Sequence, residues 1–403
     1  MAEESTKGAP RHGAEGGNAG GTTRRLRSPR KTAETPKGAA NGLERGGIFL
    51  TGVPGFIGKR LARQLLDVHA GHPAFFLVEP RMMAQAEKWI EEIRGDSPER
   101  AAQVRLLAGD ITASNCGLEG AALEEVLTQT RHMFHLAAIY DLTVGRSIAV
   151  KVNVEGTRNV LDLAAQMPNL LRLNYISTCF VAGDRKGVVM ESELDEGQLF
   201  KNFYEETKFL AEVEVRRRFA EIPIVVYRPA IVVGDSRTGE TDKFDGPYYA
   251  FRASYMGLLV VRPGACKAPV NIVPVDFIVD AIRALSIKDG LDGMTFQLVD
   301  PATPRATEVI DMIAERIGSP SPKLRVPAFL FTGALRSEKI SAMLGIPRQV
   351  LDYFNHGVVF DTQNTQWALE GTGVSCPPFG SYINNLLAFY RQKALATLPW
   401  RIA

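Results

Sequence analysis

An apolar run, Ile48-Phe49-Leu50, leads directly into Thr51-Gly52-Val53-Pro54-Gly55-Phe56-Ile57-Gly58. A strand, a glycine turn and the opening of a helix follow one another there. That order builds a cradle for a dinucleotide pyrophosphate. Gly52 permits a tight turn, Gly55 lets backbone approach the phosphates with no Cβ in the way, and Gly58 lets the new helix pack close to the strand. The helix N-terminus offers unpaired N–H groups and a partial positive charge. Ile57, Leu61, Leu65 and Val68 share one face of that helix, and Gly71 can end it. The spacing is G-x-x-G-x-x-G, one residue longer in its first gap than G-x-G-x-x-G. Thr51, Phe56 and Ile57 are taken with the three glycines as the expected cofactor-binding stretch.

From residue 47 onward, short apolar runs alternate with helical periodicity, the pattern of βαβ units and a parallel sheet. Strands are expected at 48–51, 75–78, 104–107, 132–136, 172–177 and 223–227, and helices at 56–69, 82–94, 119–129, 152–166 and 204–220. The expected fold class is α/β: a doubly wound, parallel Rossmann-type sheet with a smaller, mainly helical C-terminal substrate lobe. The dinucleotide domain is placed at 46–300, with 235–270 contributing to the lobe, and the lobe itself at 301–403. Phe296-Gln297-Leu298-Val299 reads as one more strand. The short apolar stretch Val326-Pro327-Ala328-Phe329-Leu330-Phe331 is expected in the core or in a substrate-pocket wall.

Residues 1–45 are rich in Gly, Ala, Thr, Arg and Lys and nearly devoid of large apolar residues, so a disordered, mildly basic tail is expected. A net charge of +2 over 403 residues gives no strong attraction to nucleic acid or anionic membrane. No apolar run approaches the ~20 residues of a membrane span. The four cysteines, Cys116, Cys179, Cys266 and Cys376, are scattered without a C-x-x-C pair. That spacing argues against disulfides and zinc and for a reducing cytoplasm.

The chemistry-bearing residues sit where strands end. Asp110, in Gly109-Asp110-Ile111, follows the third strand; its carboxylate can accept the adenine amino proton or simply close a turn. Ala137 and Ala138 follow the fourth strand and are small enough for a ribose to approach the backbone. His132 and His135 lack a third metal ligand and are read as packing residues; no metal site is expected. Ser177-Thr178 ends the fifth strand. Tyr204 and Lys208 follow on one face of a helix, and Tyr204 alone of the ten tyrosines has a lysine four residues on. A free tyrosine titrates at about 10, and a nearby ammonium lowers that value. On this reading Thr178 holds a substrate carbonyl oxygen, Tyr204 protonates it, and Lys208 acidifies the phenol and holds the nicotinamide ribose.

The order of glycine cradle, Gly-Asp-Ile, His-Leu-Ala-Ala, Ser-Thr, Tyr-x-x-x-Lys and Arg228-Pro229-Ala230 resembles the extended short-chain dehydrogenase/reductase family over roughly 47–300. His135-Leu136-Ala137-Ala138-Ile139-Tyr140-Asp141, Asn153-Val154-Glu155-Gly156-Thr157 and Val233-Gly234-Asp235-Ser236-Arg237-Thr238-Gly239-Glu240 are similar to bacterial fatty acyl-CoA reductases and thioester-reductase domains. So are Asp245-Gly246-Pro247-Tyr248-Tyr249 and Asn271-Ile272-Val273-Pro274-Val275-Asp276. The resemblance implies a Thr178–Tyr204–Lys208 triad and hydride transfer from NAD(P)H to a thioester or related apolar carbonyl. It also implies cofactor contacts at Ile111 and Pro229. Relatives that use NADPH carry an arginine just after the second strand, where this chain has Glu79, with Arg81 two residues on. The resemblance thus favours NADP, and Glu79 favours NAD.

Two other readings remain. One is a sugar-nucleotide epimerase/dehydratase or a hydroxysteroid dehydrogenase, with Arg262, Lys267 or Arg348 meeting a nucleotide diphosphate. The other is a non-catalytic dinucleotide sensor, against which the intact Thr178, Tyr204 and Lys208 argue. No adenylation or carrier domain is recognisable, so a thioester would arrive as acyl-CoA or on a separate carrier. An oligomer is left open.

Overall fold

The computed structural model describes residues 42–140, 144–257, 261–263, 268–319, 324–326 and 357–394, without the side chains of 261–263 and 324–326. Its strands are β1 Gly47–Thr51, β2 Ala74–Val78, β3 Val104–Ala108, β4 Thr130–His135, β5 Arg172–Ile176, β6 Gly187–Val189 and β7 Ile224–Pro229. They continue with β8 Ile231–Val233, β9 Val261–Pro263, β10 Ile272–Pro274, β11 Thr295–Leu298, β12 Leu324–Val326 and β13 Val358–Phe360. The helices are α1 Phe56–Val68, α2 Met83–Asp96, α3 Pro98–Ala102, α4 Gly120–Gln129, α5 Arg146–Ala149 and α6 Gly156–Ala165. After them come α7 Phe203–Arg217, α8 Tyr248–Tyr255, α9 Val275–Ser286, α10 Ala306–Ile317, α11 Gln363–Leu369 and α12 Phe379–Lys393.

Seven strands form one parallel sheet in the order β3-β2-β1-β4-β5-β7-β11. β1, β2, β5, β7 and β11 are buried throughout, as a sheet covered on both faces requires. On one face Leu61, Leu65, Trp89, Ile278 and Ile282 pack from α1, α2 and α9. On the other, Val126, Val160, Leu163, Ala211 and Val215 pack from α4, α6 and α7. Leu61 and Leu65 are fully buried. Truncating such a leucine to Ala costs about 2–5 kcal/mol. The chain reverses direction across the sheet at β1, with β2 on one side and β4 on the other. That switch point opens a crevice at the carboxyl ends of the strands.

The expected doubly wound sheet is present, with strand ends within two residues of those read from the sequence. The short parallel pairs β6/β13, β8/β10 and β9/β12 were not anticipated. Each is three residues long and pairs segments far apart in the chain, so no local pattern announces them.

The lobe is assembled from discontinuous pieces. Val233, Tyr248, Phe251, Ile272, Val309, Ile313, Tyr382, Ile383 and Leu386 form its separate core. α11 does not belong to it: Ala368 and Leu369 pack into the core of the sheet domain. The buried Glu191 carboxylate accepts from the backbone N–H of Gln297 at 2.8 Å, Asn364 at 2.5 Å and Thr365 at 3.2 Å. It also accepts from the Thr365 hydroxyl at 2.6 Å. One side chain thus fastens the start of α11 to the edge strand β11.

The ordered fold reaches further back than the expected boundary at residue 45. Leu43 N–H donates to the Ile287 carbonyl at 2.7 Å, and Glu44 pairs with Arg131 at 2.8 Å. The rest of the expected tail, residues 1–41, lies outside the described residues, as do residues 327–331 and the side chains of Arg262, Lys267 and Arg348. Cys116, Cys179 and Cys376 are free. Among the described residues no helix is long and apolar enough to cross a membrane.

Candidate active site

The glycine turn is built as its spacing demands. Gly52 has φ +94°, a left-handed conformation that favours glycine. A Cβ there would lie 2.8 Å from Leu136 Cβ and 2.9 Å from Ala137 N. A Cβ on Gly55 or Gly58 would meet the Gly52 carbonyl oxygen at 2.7 or 2.3 Å. Turn, helix α1 and the end of β4 therefore touch backbone to backbone. This leaves a cradle without side chains at the helix N-terminus, the shape a pyrophosphate needs. Ile57 packs on the core of the sheet, while the half-buried Phe56 ring lies under the Arg60 guanidinium at 4.3 Å. Lys59 and Arg60 pair with Asp242 and Glu240 of the loop entering the lobe, at 3.0 and 2.9 Å.

Buried hydrogen bonds run from this cradle to the other end of the site. Thr51 Oγ1 accepts from the backbone N–H of Leu136 and Ala137 at 3.2 and 3.1 Å, and lies 2.8 Å from His135 Nδ1. His135 Nε2 lies 3.1 Å from Thr157 Oγ1, whose own proton goes to the Asn153 carbonyl at 2.7 Å. One proton arrangement satisfies the set: Thr51 donates to Nδ1, while Nε2–H donates to Thr157. It requires a neutral His135, and burial, with the Lys208 charge adding to it, pushes that imidazole down to about 3. His135 is thus a packed, hydrogen-bonded residue.

Lys208 closes the chain. Its ammonium donates to the Tyr175 hydroxyl at 3.1 Å and to the Ile176 carbonyl at 2.8 Å. Burial lowers it to about 8, with Glu212 opposing. Tyr204 lies close enough to Thr178 to be lowered by it, and meets the Tyr140 ring edge-on, centroids 4.9 Å apart. Thr178 Oγ1 also contacts the Pro229 carbonyl at 3.4 Å. Thr178, Tyr204, Lys208 and the Pro229 backbone thus gather at the ends of β5 and β7.

One expectation fails here. Lys208 was expected to acidify Tyr204, but its ammonium is held on Tyr175 and Ile176, and burial instead pushes Tyr204 up to about 12. Thr178 only partly offsets that burial. Ser177 takes no part in the triad: its hydroxyl donates to Glu212 at 2.6 Å, and Glu212 is paired with the buried Arg228 at 2.7 Å.

At the adenosine end the reading is mixed. The exposed Asp110 carboxylate accepts from Thr112 N–H at 2.8 Å and from its hydroxyl at 2.9 Å, so it does close a turn. The Ile111 side chain is buried. It packs against Gly156, where a Cβ would come within 2.8 Å of it. Glu79 and Arg81, both exposed after β2, pair with each other at 2.5 Å. Ala137 and Ala138 are half-buried beyond β4.

Sequence reasoning missed the roles of Asn153, Tyr175 and Thr207. Asn153 Oδ1 accepts from Ile139 N–H at 2.8 Å, and its amide donates to Thr207 at 3.0 Å, tying the loop after β4 to α7. It lies in a π-helical turn, Val150–Glu155, between α5 and α6. Such turns concentrate at functional sites. The only sequence signal was the Asn153–Thr157 segment, quoted for resemblance alone. Among the described residues no cluster of His, Cys, Asp or Glu could hold a metal.

Residues 50–282 match the family model described as Male sterility protein, an NAD-binding domain. The chain belongs to that family. It is 28% identical over 275 residues to fatty acyl-CoA reductase wat of Drosophila melanogaster, covering 59% of this chain and 53% of the relative. Human fatty acyl-CoA reductase 1 is 26% identical over 283 residues, with 61% and 55% covered. The chain therefore spans about half the length of these curated relatives. The terminal R domain of the myxalamid PKS-NRPS pathway matches at 26% identity with a TM-score of 0.73, covering 88% of this chain and 93% of that one.

Proposed function

We propose that the protein is an NAD(P)H-dependent reductase of acyl thioesters, such as a fatty acyl-CoA, in which Tyr204 is the proton donor. The observation that carries this reading is the placing of Tyr204 close enough to Thr178 at the strand end to be lowered by it, beside a glycine cradle shaped for a dinucleotide. Reductase relatives by sequence and an R domain by structure support it. Gly52, Gly55 and Gly58 would hold the pyrophosphate, and Thr51, Ala137, Ala138, Lys208 and Pro229 would line the path to the nicotinamide. That group supplies the hydride. Thr178 and Tyr204 hold the substrate carbonyl oxygen, and Tyr204 gives it a proton as the carbon is reduced. The resulting thiohemiacetal loses its thiol to leave an aldehyde. A phenol held near 12 stays protonated at neutral pH, as a proton donor must. A thiol-reducing cytoplasm suits the free cysteines.

Lys208 sets the expected pH dependence. Its ammonium persists below about 8 and is lost above that value. With an orienting charge on Tyr175 and the ribose required, kcat/KM should be level near pH 7 and fall above about 8. Lys208→Arg should remove that alkaline limb. A limb that stays near 8 in this variant would assign it to another group.

Glu79→Arg should shift preference toward NADPH by about tenfold or more. It removes a carboxylate that repels a 2′-phosphate and frees Arg81 from its partner. The ratio of kcat/KM for the two cofactors measures it, and an unchanged ratio would show that residue 79 does not face the ribose. The reading as a whole is tested by cofactor oxidation with an acyl-CoA chain-length panel and both cofactors. Retained NAD together with epimerisation of a nucleotide sugar, and no thioester reduction, would overturn it.

A further inference from the structure

A buried carboxylate outside the triad ties together the three elements that carry it. Glu212 is fully buried on α7, one turn beyond Lys208 and two beyond Tyr204, so the three side chains line one face of the helix. That face meets the end of β5 at consecutive residues. Lys208 donates to the Ile176 carbonyl at 2.8 Å, Glu212 Oε2 accepts from the Ser177 hydroxyl at 2.6 Å, and Tyr204 stands beside Thr178. The same carboxylate accepts a fork of two bonds from β7: Arg228 Nε reaches Oε2 at 3.0 Å, and its Nη2 reaches Oε1 at 2.7 Å. Arg228 directly precedes Pro229, whose carbonyl lies 3.4 Å from the Thr178 hydroxyl. Arg216, on α7 itself, donates to Oε1 at 3.1 Å.

Stability alone does not account for this arrangement. A buried ion pair adds little over apolar side chains of the same volume, because desolvation cancels most of its attraction. What a carboxylate held by a guanidinium fork does fix is direction and separation. Burial pushes the Glu212 carboxyl up, but Arg228, Arg216 and Ser177 together carry it below the usual carboxylate range, so it is charged at neutral pH. That charge faces Lys208 and opposes the burial that lowers the ammonium to about 8. Around Lys208 also stand the Tyr175 hydroxyl on β5, the neutral His135 on β4 and the protonated Tyr204 on α7. Arg228 and Arg216 lie behind Glu212 and offset its charge.

We infer that Glu212 is a positioning residue of the reaction: through Ser177 and Arg228 it sets where α7 presents Tyr204 and Lys208 to Thr178. The inference rests on the roles given to those three residues above. Glu212 acts through the immediate chain neighbours of Thr178 and Pro229, and it is the counter-charge of Lys208.

Two variants separate position from charge. Ser177→Ala removes the bond to β5 and keeps the ion pair. Its kcat should fall by about tenfold or more, the scale of a sub-ångström misplacement, with the NAD(P)H dissociation constant retained, and Ser177→Thr should restore it. Glu212→Gln keeps the shape and removes the charge. Fluorescence titration with NADH and NADPH should show binding that weakens above about 8 in the wild type and above about 7 in this variant, because an opposite charge beside the ammonium is lost. Where the orphaned Arg228 unfolds Glu212→Gln, the double variant Glu212→Leu with Arg228→Met leaves no unpaired buried charge, and it should fold with kcat still low. A binding limb that stays near 8 in folded Glu212→Gln overturns the inference. So does wild-type kcat in Ser177→Ala and in the folded double variant. The titration needs no turnover, so a shifted limb without any thioester reduction would keep the role of Glu212 and remove the reaction.

Discussion

Tyr204→Phe is expected to lower kcat by about 10²–10⁴, the usual worth of a positioned proton donor, with the dissociation constant of the cofactor nearly unchanged. The phenol hydroxyl lies beside Thr178, and its ring rests on Tyr140. Phenylalanine keeps the ring contact and removes only the hydroxyl. The cradle lies on β1 and α1, and its contacts do not include residue 204. Turnover and binding should therefore separate in this variant. Thr178→Val should act in the same direction by less, because Tyr204 would still reach the oxygen. Cofactor titration beside single-turnover reduction checks both. Unaltered turnover in Tyr204→Phe would remove the proton donor from the mechanism.

Acidification should unfold the protein well above the pH at which its carboxylates titrate. His69, His132 and His135 are almost fully buried, and burial lowers them to about 3, 4 and 3. His69 and His132 face each other at 4.7 Å, so charging one opposes charging the other. Each is held neutral below the ordinary histidine value near 6.5. The unfolded chain therefore binds more protons than the folded one at every pH between that value and the folded one. Stability is full above about 6.5 and falls as pH drops toward 4. At pH 5 each imidazole would account for about 2 kcal/mol, so three together, about 6 kcal/mol, match the lower end of a typical stability of about 5–15 kcal/mol. Urea unfolding between pH 7.5 and 5 measures this slope. His69→Gln and His132→Gln should flatten it, and a midpoint independent of pH over that range would contradict it.

The legible parts of the molecule are those with local causes. The glycine triplet, the apolar runs of the sheet and the four-residue step from Tyr204 to Lys208 each follow from short-range geometry. The α7 start also has a local cause, one the sequence reading did not use: Asn202 Oδ1 accepts from Glu205 N–H at 3.0 Å. What stayed hidden depends on partners distant in sequence. Lys208 was expected to act on Tyr204, but it is the Tyr175 hydroxyl, thirty-three positions earlier, that accepts its hydrogen bond at 3.1 Å. The Ile111 side chain enters the core because Gly156 leaves room for it. Asn153 acts through a π-helical turn that no periodicity encodes. Glu79 was read as favouring NAD on its own, yet it is paired with Arg81 two residues on.

The Glu191 fastening bears on where the nucleotide half of the molecule ends. Its carboxylate gathers strand β11 and residues 364–365, more than 170 positions downstream, into one knot. A fragment stopped at residue 300 would strip the outermost strand of its cover and leave a buried acid facing water. The nucleotide-binding half is therefore not an excisable module: its final piece is delivered by the very tail that first detours to build the other half.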